Sequence, residues 1–160
     1  GWNRRSWGRS SRRRGAGSAK LHATMQAESP ERKRKAAPMG ETNYSFDMDT
    51  RFAPLEFMDI GGVADACEKP WWNQTMCQVN DCVVRLGVLH GEFHWHHHDD
   101  EDEFFYVLEG QLLVDLEDRT ETLGPRQGIT VPRGVKHRTR APERTVVLMI
   151  EGAGVKPTGD

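Results

Sequence analysis

The chain has 160 residues, of which 36% are hydrophobic, enough for one domain with its own core and little room for a second. Its net charge of −2 conceals two unlike parts: residues 1–40 carry 11 Lys and Arg against 2 acidic residues, and the remaining 120 carry 11 against 22. Cys67, Cys77 and Cys82 are odd in number and form no CxxC pair, which argues against a disulfide framework or a zinc knuckle and suits a reducing, cytoplasmic setting. No apolar run approaches the ~18 residues that span a bilayer, so no membrane association is expected.

Residues 1–42 are rich in Arg, Ser and Gly and show neither helix nor strand period. They cannot bury enough apolar surface to offset the entropy of ordering, so a disordered basic arm is expected. Three origins compete for it. An Arg- and Ser-rich leader over residues 1–24 has the composition of an organelle transit peptide. Its arginine clusters, with Glu31–Lys35, also suit a nuclear signal or a nucleic-acid arm. The third origin is a tag or a mis-assigned start, since the chain opens on Gly1 and both Met25 and Met39 lie downstream. Beyond the arm nothing points to nucleic acid.

Residues 43–70 read as an extension that packs on the following domain through Phe46, Phe52, Leu55, Phe57, Met58 and Ile60, with a short strand at Phe57–Ile60 and a helical turn over Gly61–Glu68. Trp71 and Trp72 either line a ligand site or plug the end of a core, and the area such rings bury favours the plug. From Gln74 the pattern turns to β. Gln74–Val79 and Cys82–His90 form two strands around an Asn80-Asp81 turn. In the second, alternation places Cys82, Val84, Leu86 and Val88 inward with His90, and Arg85 on the outer face. Arg85 would otherwise be an attractive carboxylate or phosphate clamp.

Five of the seven histidines fall between His90 and His98. In extended chain His94, His96 and His98 share one face and His97 faces away, and Glu103 follows with a carboxylate. Such a set suits metal ligation, and a solvated polar loop is the competing reading. Carried through Gly91 without a bulge, the parity of the preceding strand turns His94, His96 and His98 inward, which favours the metal. Asp99–Asp102 read as a solvated acidic turn. Phe93, Trp95, Phe104 and Tyr106 have the opposite parity, which predicts burial against a second copy in a homodimer or under the N-terminal extension.

A hairpin of Phe104–Glu109 and Gln111–Leu116 turns at Glu109-Gly110. Shorter strands follow at Thr120–Leu123, Ile129–Val131, Lys136–Arg140 and Thr145–Ile150, separated by Asp118-Arg119, Gly124-Pro125 and Pro132-Arg133-Gly134. Many short strands with almost no helix predict an all-β sandwich or barrel over residues 71–152, with a tail at 153–160. His137 follows the rigid PRG turn, which fixes where its strand begins.

Taken together, the two histidine segments resemble the cupin superfamily. Its first motif, G(X)5HXH(X)3–4E(X)6G, is matched by His96, His98, Glu103 and Gly110; its second, G(X)5PXG(X)2H(X)3N, by Pro132, Gly134 and His137. The opening glycines fall at His90 and Arg126, with Gly91 and Gly128 nearby, and the closing Asn is Ala141. The likeness is greatest to small single-domain bacterial cupins loosely described as mannose-6-phosphate isomerase-like. It implies a single jelly-roll barrel, also described as a double-stranded β-helix, and a metal held by His96, His98, Glu103 and His137.

Three imidazoles and one carboxylate accept Fe, Mn, Ni, Zn or Cu as a divalent ion, so the donors alone do not choose the metal. Four protein ligands leave an octahedral ion two open positions, which suits a mononuclear metal-dependent enzyme, a dioxygenase or a sugar-type isomerase, acting on a small polar substrate. The alternative is a non-catalytic barrel that binds or senses a metal or small ligand. His94 and His90 are candidates to hold a ligand in place or shuttle a proton. Gln127 and Trp72 are weaker pocket candidates.

Overall fold

The computed structural model describes residues 43–160, so the basic arm expected at residues 1–42 lies outside the described residues. These residues form β1 (Tyr44–Asp47), α1 (Ile60–Asp65), β2 (Trp71–Val79), β3 (Cys82–Glu92), β4 (Glu103–Glu109), β5 (Leu112–Leu116), β6 (Thr120–Leu123), β7 (Gly128–Val131) and β8 (His137–Gly152). The last strand organises the rest. β8 runs antiparallel to β3 along one edge, while its other edge pairs first with β5 and then with β4. β2 extends the sheet beyond β3, β1 adds to β2 in parallel, and β7 and β6 pair with β4 and β5. The result is the all-β barrel expected from the sequence.

Two apolar layers hold it together. Inside lie Trp71, Leu89, Phe93, Phe105, Val107, Leu112, Val114, Val147 and Met149. Val107, Leu112, Val114 and Val147 are wholly buried, each contributing about 1.5–3 kcal/mol. Outside, Trp72, Met76, Leu86, Val88 and Val146 are covered by Ala64 of α1 and by Phe52, Met58, Ile60 and Val63. α1 starts where the Asp59 carboxylate accepts a hydrogen bond from the Gly62 N–H at 3.0 Å, a side-chain cap on an otherwise orphaned donor. The strand expected at Phe57–Ile60 does not form, and Phe57 is exposed.

That second layer overturns the facing inferred for β3. Leu86 and Val88 belong to the covered outer layer, whereas Val83, Arg85, Gly87 and Leu89 face the interior beside Val147, Met149 and Glu151 of β8. Both faces are apolar, so alternation reports burial on each without saying which is inside. The register then shifts between Leu89 and Gly91, where Gly91 takes φ 114°, a conformation open to glycine and a usual bulge site. Beyond it the chain leaves the strand at residues 93–95 before His96. An inverted face and the bulge at Gly91 therefore offset each other, and His96 and His98 are buried.

The predicted β4–β5 hairpin is also absent. Both strands lie end to end along the same edge of β8, and the chain steps from one to the other at Gly110. The Asn80-Asp81 turn does form, with Val79 opposite Cys82.

Candidate metal centre

Three chain segments deliver the four donor residues. His96 forms an isolated bridge with His137, each N–H donating to the other's carbonyl at 2.9 Å. The Gly134 N–H donates to the His98 carbonyl at 2.7 Å, and the Arg133 N–H to Asp102 Oδ1 at 3.0 Å. The PRG turn is thus pinned to both ends of the histidine and acidic stretch. Glu103 opens β4, opposite Val131, and His137 opens β8.

The ligand atoms of His96, His98, Glu103 and His137 all lie within 4.8 Å of one another, and all four residues are buried. His137 Nε2 is 3.1 Å and His98 Nε2 3.5 Å from Glu103 Oε2. His96 Nδ1 faces the His94 carbonyl at 3.1 Å and His137 Nδ1 faces the Val135 carbonyl at 3.0 Å. A carbonyl only accepts, so both rings carry a proton on Nδ1; this leaves Nε2 of neutral His96 as a lone pair toward the cluster, whereas His137 donates from Nε2 to Glu103 as the doubly protonated ring, a proton that a bound cation would displace. His98 Nδ1 is buried without a partner among the described residues. Burial, with help from the neighbouring His137 charge, lowers the His96 pKa to about 4, so this imidazole is neutral at pH 7. Burial alone would raise Glu103, but hydrogen bonds from His137 and His98 outweigh it and hold the carboxyl below its ordinary range. In the same contact His137 is raised, burial opposing and the Glu103 hydrogen bond prevailing. Neutral imidazole beside a carboxylate is the donor set a divalent cation requires.

The cluster borders a cavity of about 30 Å³ lined by His96, Glu103, Asn73, Thr139 and an apolar wall that includes Trp71, Leu89, Phe93, Phe105 and Met149. That is room for an ion and one or two waters. Trp71 and Phe93 stack with ring centres 5.6 Å apart and planes 13° off parallel. Phe46 and Pro157, the half-exposed members of the lining, place the mouth between β1 and the C-terminal tail. The tail is tied there: His94 Nε2 lies 2.8 Å from the Thr158 carbonyl, and the Asp160 N–H donates to the His97 carbonyl at 3.0 Å.

Several expected roles change. Trp71 is a cavity wall, while Trp72 packs outside, its indole N–H donating to Asp47. Phe93 and Phe105 are inside, so Phe93 is not an outward aromatic. Arg85 is buried in the barrel, paired with Glu151 and 2.8 Å from Met48 Sδ; it is neither outward nor free to clamp a substrate. Gln127 is exposed and accepts from the Gly124 N–H. His94 is exposed on the tail, and neither it nor His90 joins the four clustered donors. His97 faces Asp99 at 3.2 Å. Sequence reading missed Asn73, Thr139 and Met149, because a residue with no neighbouring motif carries no sign of which cavity it borders.

Residues 83–151 match the family model described as Cupin domain. A cupin-2 domain containing protein from Shewanella frigidimarina NCIMB 400 superposes with a TM-score of 0.57 at 30% identity, over 59% of this chain and 93% of that one. The chain belongs to the cupin family. This cupin is also 44% identical over 97 residues to YdbB of Bacillus subtilis (strain 168), which covers 60% of the chain and 86% of the relative. Protein NMB1881 from Neisseria meningitidis shares the cupin fold, with a TM-score of 0.55 at 24% identity over 61% of this chain and 99% of that one. Among the described residues no helix is long and apolar enough to cross a membrane.

Proposed function

We propose that this cupin is a mononuclear metal-dependent enzyme in which His96, His98, Glu103 and His137 hold one divalent ion. The observation that carries the reading is the convergence of four buried donors, three imidazoles and one carboxylate, at the head of an apolar cavity. When bound, the ion supplies a Lewis acid with open positions, or a redox centre if it is iron. Glu103 contributes a single negative charge, which leaves the site net positive with a divalent ion and draws an anionic or enolic oxygen to it. Trp71, Phe93 and Phe105 exclude water around that oxygen. A sugar would need many hydrogen-bonding partners, and the lining offers few besides the donors. The cavity therefore favours an oxygenase acting on an apolar-bodied, oxygen-bearing substrate over a sugar-type isomerase.

The small volume favours a second reading, a barrel that binds its metal and a small ligand without turnover. Elemental analysis of the purified protein, followed by oxygen uptake with catechols, β-diketones, thiols and keto sugars, separates the two. Bound iron with substrate-dependent uptake supports the oxygenase; stoichiometric metal without turnover supports the binding barrel. A folded protein that takes up no metal rejects both. His96→Ala combined with His137→Ala is expected to abolish metal uptake while the far-ultraviolet spectrum of the barrel persists.

A further inference from the structure

A short strap closes the solvent side of the donor cluster. Val155 is buried and its N–H donates to the Gly152 carbonyl at 3.1 Å, which anchors the chain just after β8. The residues beyond it form a turn with bonds of its own: the Gly159 N–H donates to the Lys156 carbonyl at 2.9 Å, and Lys156 Nζ donates to Asp160 Oδ1 at 2.8 Å. Among the described residues, the hydrogen bonds that hold this turn down all run to the stretch carrying His96 and His98. His94 Nε2 donates to the Thr158 carbonyl at 2.8 Å, the Asp160 N–H to the His97 carbonyl at 3.0 Å, and the Asp99 N–H to Asp160 Oδ2 at 3.1 Å. A methyl group on Gly159 would stand 3.1 Å from His96 Cδ2, so the strap backbone lies against the ring of a donor residue. Pro157 forms part of the cavity wall.

The space behind the strap is about 30 Å³. A divalent ion with six waters, at about 30 Å³ per water, needs roughly 180 Å³. Entry therefore requires one side of the mouth to open. On one side, β1 pairs with β2 along its whole length, the Trp72 indole N–H donates to Asp47 at 2.6 Å, and Phe46 meets Phe93 edge-on with ring centres 6.2 Å apart. The other side has only the strap's hydrogen bonds, near the surface, and one proline. Segments with few apolar contacts and exposed hydrogen bonds open at the lowest cost.

We propose that residues 156–160 are a gate, which closes the metal site at rest and swings about Val155 to let an ion or its ligand pass. The inference rests on the metal-site reading above and adds to it a route of entry and the step that sets its rate. None of the strap's hydrogen bonds involves a donor atom of the cluster. Uptake and release both pass through the open state, so loosening the strap speeds both alike and leaves Kd, their ratio, where it was.

The test follows Co(II) uptake by stopped-flow absorbance and its release to excess EDTA, in the parent protein and in Asp160→Ala, Asp160→Asn and Gly159→Ala. Salt at about 0.3 M screens the exposed Asp160 charge. Asp160→Ala removes the acceptor of the Asp99 N–H; Asp160→Asn loses the same charge but keeps an oxygen there. The expected result for Asp160→Ala is uptake and release each about 10-fold faster, with Kd within about 2-fold of the parent. Asp160→Asn should stay within about 3-fold of the parent rates, and Gly159→Ala should release the ion at least as fast as Asp160→Ala. Parent rates in both Asp160→Ala and Gly159→Ala overturn the gate and leave the metal site standing. Equal acceleration in Asp160→Ala and Asp160→Asn also overturns it, tracing the effect to charge. So does faster release from Asp160→Ala with unchanged uptake, which makes the strap a contributor to affinity. Parent protein that takes up no Co(II) overturns the metal-site reading and this inference with it.

Discussion

His137 Nε2 stands 3.1 Å from Glu103 Oε2 although 34 residues separate them. The two residues open strands β8 and β4, which pair antiparallel further along, and the bridge from His137 to His96 closes the remaining distance. Glu103→Gln preserves the side-chain shape and removes the only anionic donor of the four. Affinity for a divalent ion, titrated with Co(II) or Zn(II) against a competing chelator, should fall at least about 100-fold. Unchanged affinity would remove Glu103 from the ligand set.

His96 predicts a pH dependence with a definite sign. Its folded pKa is about 4 against an ordinary 6.5. Between those values the unfolded chain binds a proton at this position that the folded protein does not. The His96 contribution is therefore fully present above pH 6.5 and is lost as the pH falls toward 4, on the order of 3 kcal/mol in all. His137 and Glu151 are both raised, Glu151 to about 8 by burial and the Glu103 charge, so their contributions run the other way and are lost as pH rises. The informative quantity is thus the stability of the metal-free parent minus that of His96→Asn, from urea denaturation at several pH values. This difference should shrink steadily from pH 7 to pH 4. A constant difference means that His96 is not held neutral.

Arg85 and Glu151 form an ion pair inside the barrel, at 1% and 4% exposure. Above pH 8, where Glu151 is ionised, Arg85→Met strands the carboxylate at a cost of about 3–5 kcal/mol. Below that Glu151 is held protonated, and losing the Arg85 charge raises it further, so the loss should be smaller at pH 6 than at pH 9. Replacing both, Arg85→Met with Glu151→Leu, is expected to cost less than Arg85→Met alone. If the double variant instead loses the sum of the two single effects, the pair is uncoupled.

Gly159 holds the C-terminal tail against the histidine stretch. A methyl group there would come within 2.6 Å of His96 Cβ and 3.0 Å of the His97 carbonyl, at φ +82°. Gly159→Ala should lift residues 156–160 from the cavity mouth, breaking the Asp160 N–H bond to the His97 carbonyl. Hydrogen exchange should show lost protection at Asp160 with Tm changed by no more than about 2 °C, because few core contacts are involved. Full protection in the variant would show that the tail is held by something other than this close approach.

The gathering of His96, His98, Glu103 and His137 is implied by the resemblance to cupins, whereas alternation alone points to His94, His96 and His98 with Glu103 and places His137 only on a strand that the PRG turn starts. The PRG turn and the HXH spacing do their work over a few residues, and local geometry is what a sequence encodes most directly. The short-strand pattern, too, announced a barrel through its turns. Facing was different. Leu86 and Arg85 alternate in a strand buried on both sides, and only the arrival of α1 and of Phe52, Met58 and Ile60 on one of them made the other the interior. Likewise the β4–β5 hairpin looked sound from Glu109-Gly110, yet β8 is long enough to pair with both strands end to end.

What the sequence by itself determined is the fold family, the donor types and the turns that space them. Tertiary structure alone decided that Trp71, Phe93 and Asn73 share one cavity with those donors, that Arg85 is spent on Glu151, and that the C-terminal tail sits at the mouth. Each of these depends on which distant segments meet across the barrel, and a side chain's neighbours across a barrel leave no period or spacing in its own stretch of chain.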